Sequence, residues 1–161
     1  MIRPVLGRLH LVTAFLISLT AWTGCRTAPS AKPIDISEPG WRVRQGQALW
    51  RNKANAPEIA GEVILATNAT ERAFVQFLKN PLPLLTGEVA PGRWQIEFIP
   101  EKRSFAGRGK PPRRLLWLQL LANLQQPQAK APLSFAKMPD NSYQIEDHST
   151  GERVTLFLNE E

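Results

Sequence analysis

The sequence predicts an α+β fold, a curled antiparallel β-sheet with one apolar helix on its concave face. Three observations predict it. Residues 93–99 alternate strictly: Trp94, Ile96 and Phe98 share one side, and Arg93, Gln95 and Glu97 share the other. A half-buried antiparallel strand needs that pattern. Further β-rich runs are divided by turn residues at short spacing, such as Pro91-Gly92 and Pro139-Asp140-Asn141. Only residues 112–124 carry a convincing helical period.

Taken in order, residues 41–50 (WRVRQGQALW) place Trp41, Val43 and Leu49 on one alternation and predict a first strand. A polar loop over 51–57 leads to a β-rich run at 59–67. Residues 68–71 (NATE) read as a turn, and 73–79 (AFVQFLK) as an apolar strand. Asn80-Pro81-Leu82-Pro83 interrupts it, since two prolines remove ladder donors from a central strand. A short strand at 84–89 ends at Pro91-Gly92, the alternating strand 93–99 follows, and 102–107 pairs with it. Pro112 then opens the helix, because a first turn tolerates the missing N–H. Leu116, Leu120 and Leu124 fall at spacing four, and Trp117 and Leu121 widen the stripe. Residues 133–138, 142–147 and 153–158 read as three closing strands. A sheet of about eight strands curls because strand twist accumulates. The helix on its concave side then covers either an apolar binding hollow or an ordinary core; the pattern is the same for both.

The chemistry of catalysis is scarce. The chain has a single cysteine, Cys25, and His148 is the one histidine beyond the first 24 residues. That inventory excludes a His-based metal cluster and leaves no spare thiol as nucleophile. Glu146-Asp147-His148-Ser149 holds acid–base residue types, but adjacent residues do not converge on one substrate atom, and the stretch reads as a polar hairpin turn. The glycines of Gly107-Arg108-Gly109 match no phosphate loop. The reading is therefore non-enzymatic, with neither metal nor cofactor.

Two surface features remain. Lys102, Arg103, Arg108, Lys110, Arg113 and Arg114 form a basic run that either meets acidic headgroups or polysaccharide, or is a solvated loop. Arg113 and Arg114 stand at the start of the predicted helix, where its dipole disfavours cations by a few tenths of a kcal/mol. Leu82, Leu84 and Leu85 sit in the Pro-framed connection. Exposed, they are a membrane or substrate contact; buried, they fold back on the core.

The N-terminus speaks to location. Arg3 and Arg8 form a positive start, an apolar stretch follows to Leu19, and Thr23-Gly24-Cys25 closes it. This is the anatomy of a secretion signal. The apolar run is shorter than the roughly 20 residues a membrane-spanning helix needs. Thr23-Gly24-Cys25 resembles the end of a bacterial lipobox, although Trp22 stands where Leu is usual. The expectation is a signal peptide over 1–24 and lipidation of Cys25; the alternative is an ordinary cleaved signal that leaves a free thiol. Residues 25–40, rich in Ala, Pro, Ser and Lys, have tether composition. One domain over 41–161 follows. The chain carries +6; loss of Arg3 and Arg8 leaves +4. For an exported protein this mild excess reads as attraction to the membrane surface or anionic lipid, or as nothing in particular, rather than as nucleic-acid binding.

The order of elements resembles the LolA/LolB lipoprotein-localisation family, most closely its outer-membrane receptor branch, over residues 41–158. The resemblance rests on four features. Asn80-Pro81-Leu82 follows an apolar strand, and Pro91-Gly92 leads into strand 93–99. A Pro-led helix carries Leu116-Trp117-Leu118, and a closing hairpin ends the chain. The chain is shorter than the receptor. The resemblance implies a half-open barrel with a helical lid that holds acyl chains, and a lipid-anchored protein at the periplasmic face of the outer membrane. Arg26 and Thr27 after the cysteine, with no Asp, agree with that membrane by the enterobacterial rule. The expected ligand residues are Val63, Leu65, Val75, Phe77, Trp94, Ile96 and Phe98, with Trp117, Leu120 and Leu121 above them. Leu82, Leu84 and Leu85 are the expected membrane contacts. A lipid or lipoprotein acyl group is the expected ligand. The competing expectation is an assembly lipoprotein, with a packed core, that docks onto an envelope complex.

Overall fold

The structure, a computed structural model, describes residues 34–159. The signal assigned to 1–24, Cys25 and the tether as far as residue 33 lie outside the described residues. Among the described residues, nine strands form one antiparallel sheet, and one helix joins the sixth strand to the seventh. The strands are β1 (Trp41–Arg51), β2 (Ile59–Asn68), β3 (Ala73–Lys79), β4 (Leu82–Ala90), β5 (Arg93–Phe98), β6 (Arg103–Arg108), β7 (Leu133–Lys137), β8 (Tyr143–Asp147) and β9 (Glu152–Leu158). The helix is α1 (Leu116–Gln125).

The spatial order is β6-β5-β4-β3-β2-β1-β9-β8-β7. Two meanders make it: β1 to β6, and β7 to β9, joined where β9 pairs with β1. The sheet is not closed, and β6 and β7 are its edges. α1 packs on β3 and β4 and also on β8 and β9. Strands well separated in the order thus meet the same short helix, so the sheet curls around it. The described helix is not long and apolar enough to cross a membrane.

Register explains the inner face. Val63 pairs with Phe77, Phe77 with Leu85, and Leu85 with Phe98. One row over, Leu65, Val75, Gly87, Ile96 and Phe105 are neighbours across five strands. Because side chains alternate between faces, these rows put every second residue inward. Ile145, Val154 and Leu156 continue the core on β8 and β9. Leu116, Trp117, Leu118, Leu120 and Leu121 of α1 close it from above, all buried.

Three local expectations are corrected. The helix starts at Leu116, not at Pro112; the amide of Leu115 instead donates to the Pro112 carbonyl at 3.0 Å, making a turn before the helix. On β1 the inward set is Gly46, Ala48 and Trp50, not Trp41, Val43 and Leu49. Ala48 is buried and Val43 is exposed. The pattern misleads because β9 comes close: a Cβ at Gly46 would lie 2.0 Å from the Phe157 carbonyl oxygen. Finally, Leu82 and Pro83 belong to β4 rather than interrupting the sheet. The β4–β5 ladder begins only at Leu85 opposite Phe98, so Pro83 takes no donor from it.

The outer face holds a charged cluster. Glu88 is only 3% exposed. Its carboxylate accepts from Gln95 Nε2 at 3.0 Å and from Arg72 at 3.3 Å, with Arg93 at 3.6 Å. The Arg72 guanidinium also lies over the Trp41 ring, 5.3 Å from its centroid. A buried carboxylate requires such partners, since an unpaired one is expensive.

Candidate functional site

The inner face and α1 meet in an aromatic cluster. Trp117 is 1% exposed, with its ring centroid 5.1 Å from Phe77 and 6.0 Å from Trp50. Trp50 in turn lies 6.2 Å from Phe77 and 6.3 Å from Phe98. These separations are those of favourable aromatic pairs, worth about 0.5–1.5 kcal/mol each beyond their burial. The indole Nε1 of Trp117 is buried and has no hydrogen-bond partner. An unmade hydrogen bond of that kind costs about 1–3 kcal/mol.

All ten expected ligand residues come together here. Val63, Leu65, Val75, Phe77, Ile96, Trp117, Leu120 and Leu121 are buried in one cluster, with Trp94 and Phe98 packed against it. With α1 seated, these side chains pack against one another in one cluster.

The three expected membrane contacts separate. Leu82 is 66% exposed at the β3–β4 tip, and Leu84 is half-buried against the core. Leu85 is fully buried between Phe77 and Phe98, so it is a core residue and not a membrane contact. Three leucines within four positions of a strand cannot all face one way.

A pair 102 residues apart in sequence escaped the sequence reading. Trp50 Nε1 donates to Glu152 Oε1 at 3.1 Å. The Glu152 carboxyl is pushed up to about 7: burial raises it most, the Trp50 hydrogen bond, which favours the charged form, opposes the rise, and the Asp147 charge adds to it. Next to it, residues 148–151 form the β8–β9 turn. Burial pushes the Asp147 carboxyl up, but hydrogen bonds from the Ser149 hydroxyl and amide outweigh it, and the carboxyl is held below the usual range. His148 is exposed on that turn. Glu146 pairs instead with Arg51 at 3.4 Å. Of the stretch read as a turn, His148 and Ser149 lie in it, whereas Glu146 and Asp147 end β8.

A second region was not foreseen. An open cleft of about 820 Å³ lies between the second half of α1, the β2–β3 and β4–β5 turns and the connections flanking α1. Val89, Ala122, Ala129 and Leu133 supply its apolar wall, and Lys110, Arg113, Lys130 and Glu71 its charges. None of the ten expected ligand residues lines it. Of the basic run, Lys110 and Arg113 reach it, whereas Lys102, Arg103, Arg108 and Arg114 do not. Side-chain amides fix its shape. Gln119 Nε2 donates to the Pro111 carbonyl at 2.8 Å, tying the chain before α1 to the helix. Buried Asn123 donates to the Gln119 carbonyl at 2.8 Å and accepts from the Gln128 amide at 2.8 Å, tying the chain after it.

No protein-family model matches the chain, and no curated protein matches it.

Proposed function

We propose that this chain is a non-enzymatic, membrane-tethered binding protein of LolB-like form. In this reading the curled sheet is a half-open barrel and α1 is a lid on its concave face. The protein accepts or hands over a lipid, a lipoprotein acyl group or a related amphiphile. Lipid on Cys25 holds it at the periplasmic face of the outer membrane.

One observation carries the reading: a ten-residue helix without a side-chain N-cap or complementary end charges covers the apolar inner face. Leu115 at its N-cap has no side chain to cap it, its first turn has no acid and its last turn no base. Those devices are each worth about 0.3–2 kcal/mol in helices that have them. α1 therefore depends on packing for its stability, and Trp117 in its first turn is packed at the expense of an unpartnered N–H. Lifting α1 would free that donor and uncover Val63, Leu65, Val75, Phe77 and Ile96. An acyl chain would then replace helix side chains there, with each CH₂ taken from water worth about 0.8 kcal/mol. Leu82, exposed on a hairpin tip, would meet the membrane during transfer.

A second reading is favoured by the close packing of α1 on the inner-face residues: an assembly lipoprotein whose core never opens and whose surface docks onto an envelope complex. Mass spectrometry of lipid extracted from the purified protein separates the two. Stoichiometric co-purifying lipid, beyond the anchor itself, supports the carrier; its absence, with no uptake of added palmitate, supports the docking protein. Replacing Cys25 with Ser is expected to release the protein from membranes or block its processing, and unchanged fractionation and mass would exclude the anchor.

A further inference from the structure

The cleft beside α1 has a chemical character that the inner face lacks. Three cations reach it from two separate connections: Lys110 and Arg113 from the chain before α1, and Lys130 from the chain after it. One carboxylate, Glu71, opposes them, so the walls carry a net positive charge. The ion pairs among the described residues are Arg51–Glu146, Arg72–Glu88, Arg93–Glu88 and Arg153–Glu58, and none of them uses a cleft cation. A wall with an excess of positive charge attracts an anion. The connections that bear them are not loose, because Gln119 and Asn123 tie both to α1. The volume, about 820 Å³, suits a headgroup-sized ligand better than a bare ion.

We infer that this cleft binds a phosphate-type anion, and that its physiological form is the headgroup of an amphiphile. The second half of the inference rests on the carrier reading above. Val89, Ala122, Ala129 and Leu133 give the cleft an apolar wall beside the cations, as the junction of a headgroup and its chain requires. Ala122 belongs to α1, and Lys110, Arg113 and Lys130 flank it, so a bound headgroup sits against the element that must move. Arg113 donates to the Ala131 carbonyl at 3.4 Å, a long contact that leaves its other N–H groups for a ligand.

The test is calorimetric titration of the protein with three probes: dodecyl phosphate below its micelle concentration, dodecyl maltoside, and inorganic phosphate. Each is repeated on a variant with Lys110→Gln, Arg113→Gln and Lys130→Gln. All three residues are exposed, so the variant is expected to melt as the parent does. Dodecyl phosphate is expected to bind at least tenfold more tightly than dodecyl maltoside, and the triple variant to lose at least tenfold for dodecyl phosphate alone among the detergents. If inorganic phosphate binds as tightly as dodecyl phosphate, with the same loss in the variant, the anion site stands and its source is a free phosphate. That outcome would count against the carrier reading. Equal binding of both detergents, unchanged in the variant, overturns the anion site and leaves the carrier reading intact. No binding of any probe overturns the site as well.

Discussion

Leu118 of α1 lies directly on Gly87 of β4. A Cβ built at Gly87 would stand 3.0 Å from Leu118 Cδ2 and 3.1 Å from Val75 Cγ1. The missing side chain is what lets the helix approach the sheet at this point. Gly87→Val is therefore expected to push Leu118 outward and to cost about 1–3 kcal/mol, the usual range for overpacking. Urea denaturation reads it. Unchanged stability would mean that α1 does not rest on β4.

Phe98 and Gln95 face opposite sides of β5 and should respond differently. Phe98 lies 6.3 Å from both Trp50 and Phe105 on the inner face. Its replacement by Ala is expected to cost about 3 kcal/mol, at the low end of the range because it is only partly buried. Gln95 on the outer face is not a bare surface residue, since it donates to buried Glu88. Gln95→Ala is expected to cost about 1 kcal/mol, more than a free surface position would. Equal losses in chemical denaturation for the two variants would overturn the strand faces.

Strand 93–98 was legible because its register puts every apolar residue inward without exception. β3 was legible for the same reason: Ala73, Val75 and Phe77 all alternate inward. β1 was not, because two of its three inward residues, Gly46 and Ala48, carry no strong hydrophobic signal, and only Trp50 does. The helix begins four residues after Pro112, since Pro112 satisfies a first-turn rule that the chain uses for a preceding turn. Most of the interior was readable, because burial follows periodicity. The Trp50–Glu152 contact and the cleft were not, because each joins segments far apart in sequence, and nothing local marks such a junction.

Glu152 predicts a pH dependence. Its carboxyl is raised to about 7 in the folded protein, above the ordinary glutamate value near 4.5. The folded state thus binds this proton more tightly than the unfolded state. The stability it contributes is fully present below about pH 4.5 and is lost as pH rises to about 7. Glu152→Gln keeps an oxygen acceptor for Trp50 and removes the titration. Thermal melts between pH 4.5 and 8 are expected to fall with rising pH in the parent, and to fall less in the variant. Parallel curves would mean that Glu152 titrates normally.

Leu82 and Leu85 predict opposite outcomes for the same substitution. Leu82→Glu alters an exposed tip, so stability is expected to change by no more than about 0.5 kcal/mol while transfer to vesicles declines. Leu85→Glu places a charge among Phe77 and Phe98 and is expected to unfold the protein. Melts and a vesicle-transfer assay check both. Full transfer by Leu82→Glu would remove the membrane role assigned to the tip.

A carrier of this form requires α1 to lift, and amide hydrogen exchange measures that directly. Elements that open do so at lower free energy than the strands that hold a fold. Exchange in Leu116–Gln125 is expected to be markedly faster than in Arg93–Phe98, and to slow when palmitate is added. Exchange in the helix as slow as in β5, and unaffected by palmitate, would contradict the lid and leave a docking lipoprotein with a closed core.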